Sequence, residues 1–198
     1  DSKDAGSSVS ELTTYFTDNL VKDATTNITN LVNLTVANDN IIVFAAGNDG
    51  NSQPSAIAAL PKVYEALIGH FISVVSVEYN AGSYNLASYS NACGDTKAWC
   101  LGAMGSNMTS TIPYSDTVTP SGVDVVSDNT EYYGANGSGT SYAAPQVTAA
   151  AAILKGAFPY LSAEEIVTVL LETADDLGAA GVDNTFGHGL LNLNRATT

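Results

Sequence analysis

Gly137-Ser138-Gly139-Thr140-Ser141-Tyr142-Ala143-Ala144-Pro145 places a serine at the start of a stretch rich in alanine, valine, isoleucine and leucine that continues to Lys155. Such a stretch is too apolar on every side for a surface helix, so residues 141–155 are expected to form a buried one. A helix start presents N–H groups with no intrahelical acceptor and carries a partial positive charge. A hydroxyl attacking from there can have the developing oxyanion held by its own backbone N–H. The flanking small residues let another chain approach closely, and Pro145, in the first turns, is tolerated. Read from the helix-start preference alone, the pattern favours a serine that only caps the helix.

Outward from this helix, the chain alternates apolar runs and turns. Leu12, Phe16, Leu20, Ala24, Ile28 and Leu31 recur every three or four residues, the period of one long helix or two short ones. Ile41-Ile42-Val43-Phe44-Ala45-Ala46 reads as a buried strand that stops at the turn Gly47-Asn48-Asp49-Gly50. Phe71–Val77 is a second such run, with a short helix at Tyr64–Ile68 between them, so the two strands are expected to be parallel and joined by a crossover. From Ala81 to Gly137 the residues are those of loops around short strands, including Val123–Val126. Ser162-Ala163-Glu164-Glu165 is a capping box that opens a helix to about Ala174. Phe186–Asn192 reads as a tight turn feeding a short closing strand. The fold class is α/β, in one domain over residues 1–198 with no internal repeat.

The chain has 198 residues with a net charge of −14, and is 45% hydrophobic but only 13% charged. Disorder does not fit such a composition, and no apolar stretch approaches the roughly 18 residues of a membrane span. Acidity without a lysine or arginine cluster argues against nucleic acid and anionic membranes as partners, since both require positive charge. Residues 1–6 carry neither a starting Met nor the apolar stretch of a signal peptide, as in a processed or trimmed chain. Cys93 and Cys100 are spaced for a local disulfide, which would imply an oxidising compartment; two buried free thiols are the alternative. Asp49, Asp124, Asp128, Asp175 and Asp176 form no calcium-loop pattern, and no metal ligand set is evident. The sequons at Asn27, Asn33, Asn107 and Asn136 fall to chance in a chain this rich in Asn, Ser and Thr.

Gly139-Thr140-Ser141-Tyr142-Ala143-Ala144-Pro145 resembles the nucleophile motif of the subtilisin-like serine proteases. Ala45-Ala46-Gly47-Asn48-Asp49-Gly50 resembles the segment that carries the family's oxyanion-hole asparagine. Leu101–Ser106 with Ser110-Thr111-Ile112-Pro113 resembles the family's stretch between the two, with Met104 where proline is usual, and Phe186–Asn192 resembles its closing turn. Within the family, Ser90-Asn91-x-Cys93-Gly94 with Trp99-Cys100-Leu101 resembles the passenger domains of bacterial autotransporters. The resemblance covers nearly the whole chain and is weakest at Tyr114–Tyr133. It implies a subtilisin-like parallel sheet flanked by helices, with the N-terminal part of that fold absent from this chain.

By the same resemblance Ser141 is the nucleophile and Asn48 the oxyanion donor. Ala45, Ala46, Gly47, Leu101, Gly102 and Ala103 would flank the pocket for the side chain before the cleaved bond, favouring a large apolar one, with Gly139 and Thr140 also contacting substrate. No cofactor is implied; calcium rests on the resemblance alone. The histidine base and the aspartate that orients it should lie before residue 1, because neither of their motifs occurs here. His188 follows the serine and His70 lies between a helix and a strand, so neither takes the base's role. The partners are then an N-terminal segment bearing that Asp and His, and polypeptide substrates, in a secreted or cell-surface endopeptidase whose C-terminal part alone is inactive. The rival is a non-catalytic module of the same fold, an adhesin or peptide-binding scaffold. An α/β-hydrolase is excluded, because Gly139–Ala143 lacks the second glycine of its nucleophile elbow.

Overall fold

The computed structural model describes residues 3–19, 25–111, 125–127 and 132–198. Helices α1 (Val9–Asn19) and α2 (Thr25–Ala37) are the two short helices of the N-terminal periodic stretch. Leu20 and Ala24 of that stretch, with Ile112, Pro113, Val123, Asp124 and Asp128, lie outside the described residues. Strand β1 (Ile42–Ala45) leads through the Asn48 turn and the single-turn helix α3 (Leu60–Val63) to β2 (Phe71–Asn80). β2 continues into the short β3 (Ser83–Leu86), and β4 (Cys100–Met104) follows.

β2 is the centre of the sheet. It pairs in parallel with β1, from Ile42↔Phe71 to Ala45↔Val74, and in parallel with β4, from Ser73↔Cys100 to Val77↔Met104. β3 folds back antiparallel on its outer end. Because successive strand residues face opposite sides, Ile72 and Val74 meet one apolar cluster and Phe71 another. The first cluster is closed by α4 (Thr140–Ala157), α5 (Ala163–Glu172) and α6 (Leu193–Ala196), the second by α1, α2 and α3. This is an α/β fold of three layers. A separate antiparallel sheet, order β5 (Met108–Thr111), β7 (Tyr132–Gly137), β6 (Val125–Ser127), feeds directly into α4.

Ser162 caps α5 through the reciprocal bonds of a full capping box with Glu165. Ser8 and Glu11 form a second one at α1, with Ser8 N donating to Glu11 Oε2 at 2.9 Å and Glu11 N to Ser8 Oγ at 3.3 Å. The Cys93–Cys100 disulfide is present, with Cα atoms 5.9 Å apart.

Four expectations change. β1 is half-buried rather than buried, because among the described residues it pairs only with β2 and leaves its other edge open. The same opening explains α4, which buries Ala143, Val147, Ala150 and Leu154 but leaves Ile153 48% exposed. A hollow of about 360 Å³ runs between β1 and α4, lined by Ile41, Val43, Thr148, Ala151 and Ala152. Pro145 is interior to α4, so its missing N–H removes a ladder bond to the Ser141 carbonyl. The closing strand is reduced to single bridges of Leu190 with Gly102 and Asp175 before α6 begins.

Candidate active site

The N-terminus of α4 and the turn after β1 are separated by 92 residues and meet through side-chain bonds. Asn48 Oδ1 accepts from Thr140 N at 2.8 Å and from Thr140 Oγ1 at 3.0 Å. Thr140 Oγ1 in turn accepts from Gly47 N at 3.3 Å. With its oxygen so engaged, the Asn48 amide can only turn its NH2 group away from Thr140, toward Gly139 and Ser141. Ser141 is therefore not the cap: Gly139 holds that position and Ser141 is the second helical residue. Its N–H belongs to the first turn, where no helical acceptor exists, and no acidic side chain in that turn offsets the positive end of the 18-residue helix.

Gly139 shows how these groups converge. A β-carbon there would lie 3.1 Å from Ser141 Oγ, 3.5 Å from Asn48 Nδ2 and 3.7 Å from Ser141 N. One point in space is thus ringed by a hydroxyl and two N–H donors, and only glycine leaves it open. Its backbone (φ 156°, ψ 156°) lies in a region that glycine alone populates. β4 braces the site from behind: Gly139 N donates to Gly105 O at 2.9 Å, and Gln146 Nε2 donates to Met104 O.

Chemically, the arrangement suits a hydroxyl that attacks a carbonyl while two N–H groups stabilise the resulting oxyanion. Ser141 and Asn48 are both solvent-exposed. Residues 6–189 match the subtilase family. The chain belongs to the subtilase family. It is 39% identical over 163 residues to an extracellular serine protease of Serratia marcescens, covering 79% of this chain and 15% of that protein. It is 32% identical over 173 residues to the autotransporter lipoprotein NalP of Neisseria meningitidis serogroup B, covering 81% of this chain and 14% of the relative. The crystal structure of fervidolysin from Fervidobacterium pennivorans, a keratinolytic enzyme related to subtilisin, superposes with a TM-score of 0.63 at 30% identity, over 80% of this chain and 22% of that one. This subtilase chain therefore spans only about 15% of the length of the curated relatives it matches.

Other expected site residues are placed differently. Ala45 and Gly47 are half-buried and Ala46 is buried as the backbone leads into Asn48. Leu101 and Ala103 lie in β4 with their side chains in the core, at 0% and 1% exposure, and Gly102 is packed on Val77. Their burial follows from α4 covering β4. The hollow adjoining the Asn48 turn, about 240 Å³, is lined by Lys3, Asp4, Tyr15, Asp49, Gln53 and Ser55 among others, a more polar rim than small apolar walls would make. Both histidines sit at the N-terminal ends of the parallel strands. His70 Nδ1 is 2.9 Å from Asn40 O and His188 Nε2 is 3.3 Å from Ala98 O. Ser141 lies past the opposite end of β4, about 16 Å along a strand that rises ~3.3 Å per residue. Among the described residues no cluster of three or more His, Cys, Asp or Glu could hold a metal, and no helix is long and apolar enough to cross a membrane.

Asn91 and Tyr89 carry no motif signal of catalysis, yet both reach the site's framework. Tyr89 Oη bonds Gly105 O at 2.7 Å and Ser106 Oγ at 2.9 Å, steadying the loop against which Gly139 rests.

Proposed function

We propose that this chain is the C-terminal part of a secreted or cell-surface subtilisin-like endopeptidase acting on polypeptides. Ser141 is the nucleophile, and Asn48 Nδ2 and Ser141 N–H are the oxyanion donors. The histidine base and its aspartate come from an N-terminal segment of the same protein. What supports this most directly is the open point at Gly139, bordered by Ser141 Oγ, Asn48 Nδ2 and Ser141 N at 3.1, 3.5 and 3.7 Å.

The N-terminal segment would dock on the open side of the molecule. Among the described residues β1 has an unpaired strand edge, and parallel sheets are normally buried on both faces and continued at such edges. The hollow between β1 and α4, with Ile41, Val43, Ala151 and Ala152 in its lining, flanks that edge on one face. Without the base, a serine hydroxyl is a weak nucleophile. Loss of a triad member leaves only about 10³–10⁴-fold catalysis over water, so the chain alone is nearly inert. Gly139, Thr140 and the backbone at 45–47 would line the path of the substrate chain. The extracellular protease and the autotransporter among its relatives, with the disulfide, support export.

Fluorophosphonate labelling with intact-mass measurement on natively purified protein tests the reading. Stoichiometric labelling of Ser141, with a second polypeptide in the mass spectrum, is expected. A folded 20.4 kDa species that stays unlabelled even when supplied with its upstream segment would leave the non-catalytic module as the better account.

A further inference from the structure

Asn91 lies beneath the Asn48 turn and is 2% exposed. Its amide is used on both sides. Oδ1 accepts from the backbone N–H groups of Asp49 and Asn51, each at 3.0 Å. Nδ2 donates to Ala46 O at 3.1 Å, with Asp49 Oδ2 at 3.5 Å. The Asn91 backbone N–H donates to Gly47 O at 2.9 Å. One residue thus grips positions 46, 47, 49 and 51, bracketing Asn48 without touching its side chain. The packing leaves no slack, since a β-carbon on Gly47 would fall 2.5 Å from Asn91 Nδ2.

Asn91 is itself fixed from below. Ser90 Oγ accepts from Ser76 N in the central strand and donates to Asn91 O, both at 2.9 Å. Ala92 N donates to Asn51 O at 2.8 Å, and Cys93 is tied to the start of β4. The turn has little stiffness of its own, because Gly47 and Gly50 both sit at positive φ (111° and 66°).

We infer that Asn91 is the positioning residue of the oxyanion hole, holding the 46–51 turn so that Asn48 Nδ2 stays aimed at the point beside Gly139. This rests on the reading of Ser141 as nucleophile and Asn48 as donor. The demand on position is strict: an oxyanion donor acts at 2.7–3.1 Å, and a displacement of about 1 Å can cost about 10²-fold. Only an amide of this length supplies an acceptor for two converging N–H groups and a donor for a carbonyl in one plane. A carboxylate would keep the acceptor, lose the donor and bring a second negative charge against Asp49.

The test compares the complete protease, chain plus N-terminal segment, with its Asn91→Asp variant on a peptide ester between pH 5 and 8, alongside thermal melts. The expected result at pH 8 is a kcat roughly 10- to 100-fold lower with KM within about threefold of wild type. The ratio of variant to wild-type kcat should then rise as pH falls, because the introduced carboxyl, once protonated, can donate to Ala46 O again. The charged groups facing it are Asp49 directly, and Lys3 and Asp4 in the adjoining hollow; burial and the Asp49 carboxylate push its titration upward, against the two backbone N–H bonds its other oxygen keeps. A merely structural role would lower the melting temperature without that pH-dependent recovery. A folded variant with wild-type kcat, a flat ratio across pH, or a raised KM at unchanged kcat overturns the inference. If Asn91→Asp does not fold, Asn91→Ser is read on the kcat and KM criteria alone, where wild-type kcat overturns it. Wild-type protease that takes no fluorophosphonate at Ser141 overturns the peptidase reading and this inference with it. Labelling of the wild type with an indifferent Asn91 overturns this inference alone.

Discussion

Gly139→Ala puts a methyl group where the oxyanion should form. Its carbon would stand 3.5 Å from Asn48 Nδ2 and 3.7 Å from Ser141 N, whereas an oxyanion must come within 2.7–3.1 Å of both. A methyl cannot be pushed aside, because its place is set by the backbone. Loss of one such donor costs about 10²–10³ in kcat, or about 2.7–4 kcal/mol, so at least a hundredfold loss is expected when both are screened. The alanine must also be held in a backbone region that only glycine favours, at about 1–3 kcal/mol, which lowers Tm by roughly 2–10 °C in a chain this size. Gly156→Ala is the control on the same helix. It has nothing within 4 Å of its added carbon, lies in the last turn of α4, and should stabilise by about 0.5–1 kcal/mol with kcat unchanged. The assay is the rate of Ser141 phosphonylation and peptide-ester turnover in the complete protease, with melts of all three proteins. A folded Gly139→Ala protein within tenfold of wild-type kcat would show that the oxyanion does not form at this point.

Three further outcomes concern the chain itself. Replacing both Cys93 and Cys100 by Ala opens a loop closed over a separation of seven residues, worth about 2.5 kcal/mol on the chain-entropy account; calorimetry should show a Tm loss of roughly 5–10 °C, matched by reducing the wild type. Gly102→Ala drives a methyl to 2.6 Å from Val77 Cγ2 and should destabilise by about 1–3 kcal/mol, with Val77→Ala in the same chain recovering part of it in a double-mutant cycle. Acid should weaken the fold modestly in a defined window: Ser8 N–H, the Ser8 hydroxyl and Lys3 lower the exposed Glu11 carboxyl from 4.5 to about 2, and Lys62 and Gln53 hold Asp95 below its usual value. Both groups are depressed in the fold, so their contribution is complete above pH 4.5 and fades as pH falls toward 2; Glu11→Gln should flatten the Tm profile there, and an unchanged profile would deny Glu11 this role.

Much of the site's chemistry is local and therefore visible in the chain. A serine beside small residues at a helix start, an asparagine in a glycine-bounded turn after a strand, and Ser162 three residues before Glu165 each act through neighbours in sequence. The pattern Ser8-x-x-Glu11 was equally available as a cap signal. What Leu101 and Ala103 face could not be read in this way, since small, apolar residues suit many surroundings; the packing of α4 over β4 turns their side chains into the core. Burial of β1 and α4 also depends on what stands opposite, and along the open edge of β1 the described residues supply no strand.

The family, the parallel crossover, the two segments of the candidate site and the disulfide spacing are legible in the chain, because each is encoded in contiguous residues or in a period. Only the tertiary structure decided that Thr140 turns the Asn48 amide toward Ser141, that Gly139 keeps the shared point open, and that Asn91 grips the turn from below. Those contacts join residues 40 to 92 positions apart. Their geometry follows from how the layers pack around β2, and side-chain amides show no direction until the fold places their partners.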